Sequence, residues 1–234
     1  MSASLPTAER APLEPSQRRA QPPAERSPLK SAAKRIVGFV ALCVVIPAFV
    51  VYLIGRAIVG PVRAFATWSQ AFSLVPGLPG EYLRRAFCKL TLAHCGDDVC
   101  ITFGTLISHP TASLGDRTYV GAYCMLGDVT LEEDVLLGSH VSIINGGAQH
   151  GTERLDLPIR EQRGRWRRIT IGRDTWIGDR SVVLADVGRH CVVGAGSVVV
   201  SPLADYAVAV GNPARVLRYR NEEALGPINA SGES

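Results

Sequence analysis

The chain has 234 residues, 47% of them hydrophobic and 20% charged, enough for one principal domain and too apolar for disorder throughout. Its net charge of +4 is local: of 25 basic and 21 acidic residues, seven and three stand in the first 35, leaving 18 of each in the remainder. A balanced body argues against nucleic-acid binding, which needs an excess of cations facing phosphate. The six cysteines, Cys43, Cys88, Cys95, Cys100, Cys124 and Cys191, show no paired CxxC spacing. They read as free thiols of a reducing compartment, with no metal site expected.

Residues 1–35 hold six prolines among Ser, Ala, Gln and charge, and such a segment is expected to form a disordered basic tail. Ile36 to Gly55 then runs 20 residues without a charge, between Lys34–Arg35 and Arg56. As a helix it measures about 30 Å, the thickness of a hydrocarbon core. It starts too far from the N-terminus for an ordinary signal peptide. With Pro47 in the run and a second apolar stretch at Ala64–Pro76, residues 36–78 read as a membrane-associated segment. A span and a kinked hairpin re-entering one leaflet both remain open. Residues 79–94 place Tyr82, Leu83, Ala86, Phe87 and Leu90 opposite Arg84, Arg85 and Lys89, an amphipathic helix for core packing or an interface.

From Cys95 an aliphatic–Gly pair recurs every six residues. Leu114–Gly115, Val120–Gly121 and Leu126–Gly127 are followed, after a contraction, by Leu131 and Leu137–Gly138. The pattern resumes at Ile171–Gly172 and Ile177–Gly178, then at Val187–Gly188 and Val193–Gly194. A small or β-branched residue falls four after the aliphatic one, as at Thr118, Cys124, Thr175, Ser181, Cys191 and Ser197. A period of six is neither helical nor a simple alternation. It fits a solenoid in which each hexad supplies a short strand and a corner, with the aliphatic side chain inward and the Gly turning the chain. Fifteen hexads at three per turn give about five coils.

The repeat, one polar insertion at 145–168 and the ending VGNPARVLRYR at 210–220 resemble the hexapeptide-repeat acyltransferases. That family includes galactoside, maltose and xenobiotic acetyltransferases and those that decorate exopolysaccharides. The resemblance covers residues 95–220 and implies a mainly β fold, a left-handed parallel β-helix, with 221–234 as a C-terminal tail. It implies acetyl-CoA as acyl donor and a homotrimer, with the donor groove completed by a neighbouring subunit. His150, in the insertion ahead of ITIGRDTWIG, matches the family's catalytic histidine; a neutral imidazole suits removal of a hydroxyl proton. His94, His109, His140 and His190 read as corner or surface residues. Their spacing with His150 does not match the zinc site of the γ-class carbonic anhydrases. By resemblance, Trp176, Gly178, Ala195 and Ser197 line the donor channel and Arg215 and Arg218 approach the nucleotide phosphates, while Asn145 and Tyr123 border the acceptor.

Two departures bear on specificity. The Thr-Lys-Asp that follows the Gly-Ala-Gly-Ser block in many sugar acetyltransferases is here Ser201–Pro202–Leu203, and no asparagine stands near Tyr123–Cys124. The expected function is therefore acyl-CoA-dependent O-acetylation of a sugar hydroxyl. The apolar segment points to a cell-surface polysaccharide or its lipid-linked precursor, with the catalytic domain on the cytoplasmic side of the inner membrane. A soluble-sugar or xenobiotic acetyltransferase and a non-catalytic membrane-anchored scaffold are the alternatives.

Overall fold

The structure, a computed structural model, describes residues 28–221; the tail expected at 1–35 lies largely outside them, and that at 221–234 almost wholly so. Three helices, α1 (Pro28–Val59), α2 (Pro61–Ser73) and α3 (Gly77–Thr91), precede sixteen strands numbered β1 to β16 in chain order. Pro47 lies inside α1 without ending it. The chain turns instead at Gly60, where φ is 87° and Pro61 opens α2.

The solenoid has three faces of parallel strands. Face A stacks β1 (His94–Cys95), β4 (Ser113–Leu114), β7 (Val129–Leu131) and β10 (Ile169–Ile171), continued by single bridges through Val187 and Leu203. Face B stacks β2 (Cys100–Ile101), β5 (Tyr119–Val120), β8 (Leu136–Leu137), β11 (Trp176–Ile177), β13 (Val192–Val193) and β15 (Ala207–Val210). Face C stacks β3 (Leu106–Ile107), β6 (Met125–Leu126), β9 (Ser142–Ile143), β12 (Val182–Val183) and β14 (Val198–Val199). The expected parallel β-helix is observed, and its length is nearer six coils than five, because faces A and B each carry six rungs. The rungs beyond the fifteen hexads, Leu203 on face A and β15 on face B, lie at the C-terminal end. β16 (Arg215–Tyr219) then folds back antiparallel on β15.

The hexad aliphatics face inward in register. Ile101, Val120, Leu137, Ile177, Val193 and Ala209 are successive cross-strand partners and all are buried. Each large aliphatic so buried contributes about 1.5–3 kcal/mol relative to exposure. The small residue four places on is buried too, and its polar atom reaches the coil beneath. Thr105 donates to Gly121 O at 2.7 Å, Thr175 to Gly188 O at 2.8 Å and Ser181 to Gly194 O at 3.1 Å.

The hexad glycines do not turn the chain as expected. The left-handed backbone falls two residues later, at Arg117, Tyr123, Asp134, His140, Asp174, Arg180 and His190, with φ between 51° and 60°. The glycines are required by proximity: a Cβ on Gly121 would stand 2.5 Å from the Gly138 backbone, and one on Gly178 2.5 Å from Ala195 N. The hexad therefore encodes coil spacing at its Gly and chain reversal two places on, at Arg, Tyr, Asp or His.

Helices α2 and α3 close the N-terminal end of the solenoid. Ser69 on α2 accepts from Ile107 N, and Lys89 on α3 pairs with Asp97 of the first coil. Arg84, buried, donates to Ile101 O in that coil and to Phe72 O and Val75 O at the end of α2. A cluster of Tyr52, Phe65, Phe72 and Phe87 joins the three helices.

Candidate active site

The insertion leaves face C after β9 and re-enters face A at β10, so it stands on the edge between those faces. Its two ends are zipped into an antiparallel stem. Arg167 N donates to Asn145 O and Arg165 N to Ala148 O, and His150 bridges Arg163. Beyond the stem, Gln162 gathers the loop by donating to Arg154 O and Leu157 O and accepting from Arg154 N. His150 is exposed at the end of the stem. Its ring has no hydrogen-bond partner among the described residues. Gly164 crosses it so closely that a Cβ there would overlap the Gln149 carbonyl and stand 2.5 Å from His150 N.

Asn145 sits at the root of this stem, buried, with both amide hydrogens on Asp128 O and Arg167 O and its oxygen on Asp128 N. It ties the loop to the coil, which leaves the side chain little freedom to grip an acceptor. Ser197 is likewise fully buried, and its hydroxyl receives Gly211 N at 3.1 Å; its side chain serves the coil, not the outer surface.

The remaining donor-side residues lie elsewhere on the prism. Gly178 and the exposed Ala195 occupy the edge between faces B and C, as does Tyr123 higher up. Trp176, half exposed on face B, belongs to a cross-strand row that continues through Val192 and Val208 to Arg218 on β16. Three strand spacings put Trp176 and Arg218 about 14 Å apart, a run long enough for an extended ligand to follow. Arg215 is exposed on the same strand. Within one chain, then, His150 is on one edge of face C, and Gly178 and Ala195 are on the opposite edge.

Between the stem and the helical cap lies a cavity of about 350 Å³ on face C. Ala66 and Gln70 of α2 form one wall, Gln149 and Trp166 of the stem the other, and Leu106 and Met125 line its floor. His109 joins it, its Nδ1 at 2.8 Å from Ser108 Oγ and its ring 6.3 Å from that of Trp166. Sequence patterning did not single out Gln149, Trp166 or α2 for this wall; an exposed tryptophan in a polar loop was the available signal. The other two corner histidines have partners: His140 stacks on Tyr123 at 5.2 Å, and His190 meets Asp174 at 2.8 Å and stacks on Tyr206.

Five of the six cysteines, all but the exposed Cys43 on α1, offer no competing nucleophile. Burial pushes the thiols of Cys95, Cys100 and Cys124 up to about 11, and raises Cys88 and Cys191 as well. Such thiols hold almost no thiolate near neutrality. No cluster of three metal-ligating side chains occurs among the described residues.

Residues 168–201 match the protein family described as the hexapeptide repeat of succinyl-transferase. A probable acetyltransferase of Mycobacterium tuberculosis is 32% identical over 133 residues, which cover 54% of this chain and 42% of that protein. A putative acetyltransferase of Saccharomyces cerevisiae is 29% identical over 115 residues, 47% of this chain and 57% of that protein. The chain thus spans about half the length of these relatives. The structure of a maltose O-acetyltransferase from Clostridium difficile 630 superposes with a TM-score of 0.62 at 19% identity, covering 70% of this chain and 88% of that one. A hexapeptide-repeat-containing acetyltransferase from Vibrio cholerae, solved with acetyl-coenzyme A, gives 0.57 at 23% identity over 68% and 86%.

Proposed function

We propose that this hexapeptide-repeat β-helix, a relative of the acyltransferases, is an acetyl-CoA-dependent O-acetyltransferase acting on a sugar hydroxyl. The observation that carries the reading is the zipped stem, which ends in an unpartnered, exposed imidazole and whose Gln149 and Trp166 wall a cavity of a size to take an acceptor ring. In the reaction, His150 takes the proton of the acceptor hydroxyl as its oxygen attacks the thioester carbonyl. The tetrahedral intermediate then collapses, the C–S bond breaks, and the departing thiolate takes the proton back from the imidazolium. Trp176 and Arg218 mark the track of the donor, with Arg215 beside it, since guanidinium groups suit its phosphates.

The opposite-edge placement of His150 and the donor residues supports a homotrimer in which one copy's imidazole meets the next copy's donor track. The apolar α1, long enough by length and composition to cross a membrane, supports attachment to the cytoplasmic membrane. On that reading the acceptor is a cell-surface polysaccharide or its lipid-linked precursor. The test is thiol release from acetyl-CoA by the purified chain, screened over acceptor sugars. Acceptor-dependent release is expected, and its absence with every sugar, together with no binding of coenzyme A, would leave a scaffold as the better account.

A further inference from the structure

Helix α1 meets the rest of the chain along one straight seam. Lys34, Gly38, Ala41, Val45, Ala48, Tyr52 and Gly55 run along it, buried or half-buried and spaced alternately by four and three residues, the period of a helix packed lengthwise on its neighbours, with half-buried Leu42 and Phe49 beside them. Contacts fix both ends and the middle. Lys34 pairs with Asp98 of the first coil at 2.5 Å, Arg85 of α3 approaches Gly38, Tyr52 meets Phe87 edge-on, and Gly55 faces Ala64 of α2. The seam covers 22 residues, a rise of about 32 Å, as long as a hydrocarbon core is thick. A helix bound to the protein along such a seam cannot also cross a bilayer: Asp97 and Asp98 of the first coil and Glu81 and Lys89 of the cap would have to enter with it. Nor does a deep hairpin remain, because α2 lies against the solenoid from Ala66 onward. Only the tip around Gly60 stands clear.

The other side of α1 is apolar and uncovered, at Ile36, Phe39, Cys43, Val50, Ile54 and Ile58. Exposed cations stand at its ends, Arg35 at one and Arg56 and Arg63 at the other. An apolar helical face bounded by cations matches a lipid surface with anionic headgroups. We infer that α1 lies in the plane of the membrane, its outward face sunk into one leaflet, with the cap as a platform that holds the solenoid on the surface. This rests on the membrane attachment proposed above and replaces a span with a monotopic mooring. The cavity between α2 and the stem is then carried on the same platform, within reach of an acceptor whose anchor stays in the leaflet.

The test measures depth. In the full chain with Cys43→Ser, single variants Ile36→Cys and Val50→Cys and Ile54→Cys, and Cys43 itself in the parent, carry a nitroxide in vesicles of phosphatidylcholine and phosphatidylglycerol. These sites are exposed, so the labels leave the seam intact. Oxygen and nickel-chelate accessibility should place all four labels at one shallow depth, within a helix diameter of about 10 Å. Vesicles of phosphatidylcholine alone should bind the chain several-fold more weakly. Labels at Ile36 and Ile54 near opposite surfaces, about 27 Å apart in depth, would overturn the in-plane arrangement while keeping the attachment. Failure to bind vesicles, with spin–spin broadening between chains in buffer, would assign this face to a second copy and overturn both. None of these readouts depends on turnover, so an inactive but moored chain separates this inference from the enzymatic one.

Discussion

His150 stands exposed at the end of the zipped stem, in the one polar insertion of an otherwise aliphatic repeat. The stem forms because Asn145 clips both ends of the insertion, and Gly164 lets the two arms cross at Gln149 and His150. His150→Ala should leave the fold unchanged and lower turnover by roughly 10²–10⁴-fold, the usual loss on removing a general base; retention of a tenth or more of the activity would move the base elsewhere. Gly164→Ala is the subtler probe. Its Cβ forces the stem apart, so turnover should drop at least about tenfold with His150 still present. The melting temperature should barely change, because the loop lies outside the stacked core. A variant as active as the parent would show that the stem does not position the imidazole. Resemblance transfers identity at a position such as Asn145 or Ser197, whereas the burial and hydrogen-bond occupancy of these side chains depend on the coil around them and are not written in the motif.

At the scale of elements, the six-residue period gave the solenoid, its interruption and its inward aliphatics, but misassigned the turning residue. Glycine suggested conformational freedom; the structure uses it for contact between coils. The two accounts predict different mutants. Gly121→Ala places a methyl group in the Gly138 backbone and should cost about 2 kcal/mol, as overpacking does, a fall of several degrees in thermal midpoint. Tyr123→Gly, which relaxes a left-handed residue with φ of 56°, should cost less than that, its loss of the stack on His140 being offset by relief of about 1 kcal/mol of backbone strain. The helical cap was the least legible element, since Arg84 looked like part of a polar stripe and is instead buried. Arg84→Met would strip donors from three carbonyls and lower stability by about 3 kcal/mol, measured in urea.

The thiols tie elements to the behaviour of the whole chain in alkali. Burial pushes the folded thiols of Cys95, Cys100 and Cys124 up to about 11, from the ordinary thiol value of 9.0. Between those limits the unfolded chain has released protons that the folded chain retains, so unfolding is favoured as pH rises through the window. The thermal midpoint should therefore begin to fall above pH 9. The double variant Cys95→Ala, Cys100→Ala should fall less steeply; an equal slope would assign the alkaline loss to other groups.

The prism geometry of the whole molecule makes the strongest demand, because within one chain the stem and the proposed donor track are set apart. Faces A, B and C are each only one strand wide, yet His150 and Ala195 lie on different edges, and bringing them together within a chain would mean undoing the coil. The proposed closed three-fold ring would resolve this by setting each C–A edge against a neighbour's B–C edge. Sedimentation in detergent should report three chains once bound detergent is subtracted. Complementation tests the arrangement more directly. His150→Ala chains lack the base, and an Arg215→Ala, Arg218→Ala double variant lacks the cations on the donor track; each alone should be nearly inactive. Unfolded together in equal amounts and reassembled, they should recover activity, because an interface is competent whenever the base comes from one variant and the track from the other. Random assembly makes that about one interface in four, hence about a quarter of the parent's turnover. Recovery to that level requires a shared site, whereas mixtures that stay as inactive as their components would mean that each chain builds its site alone.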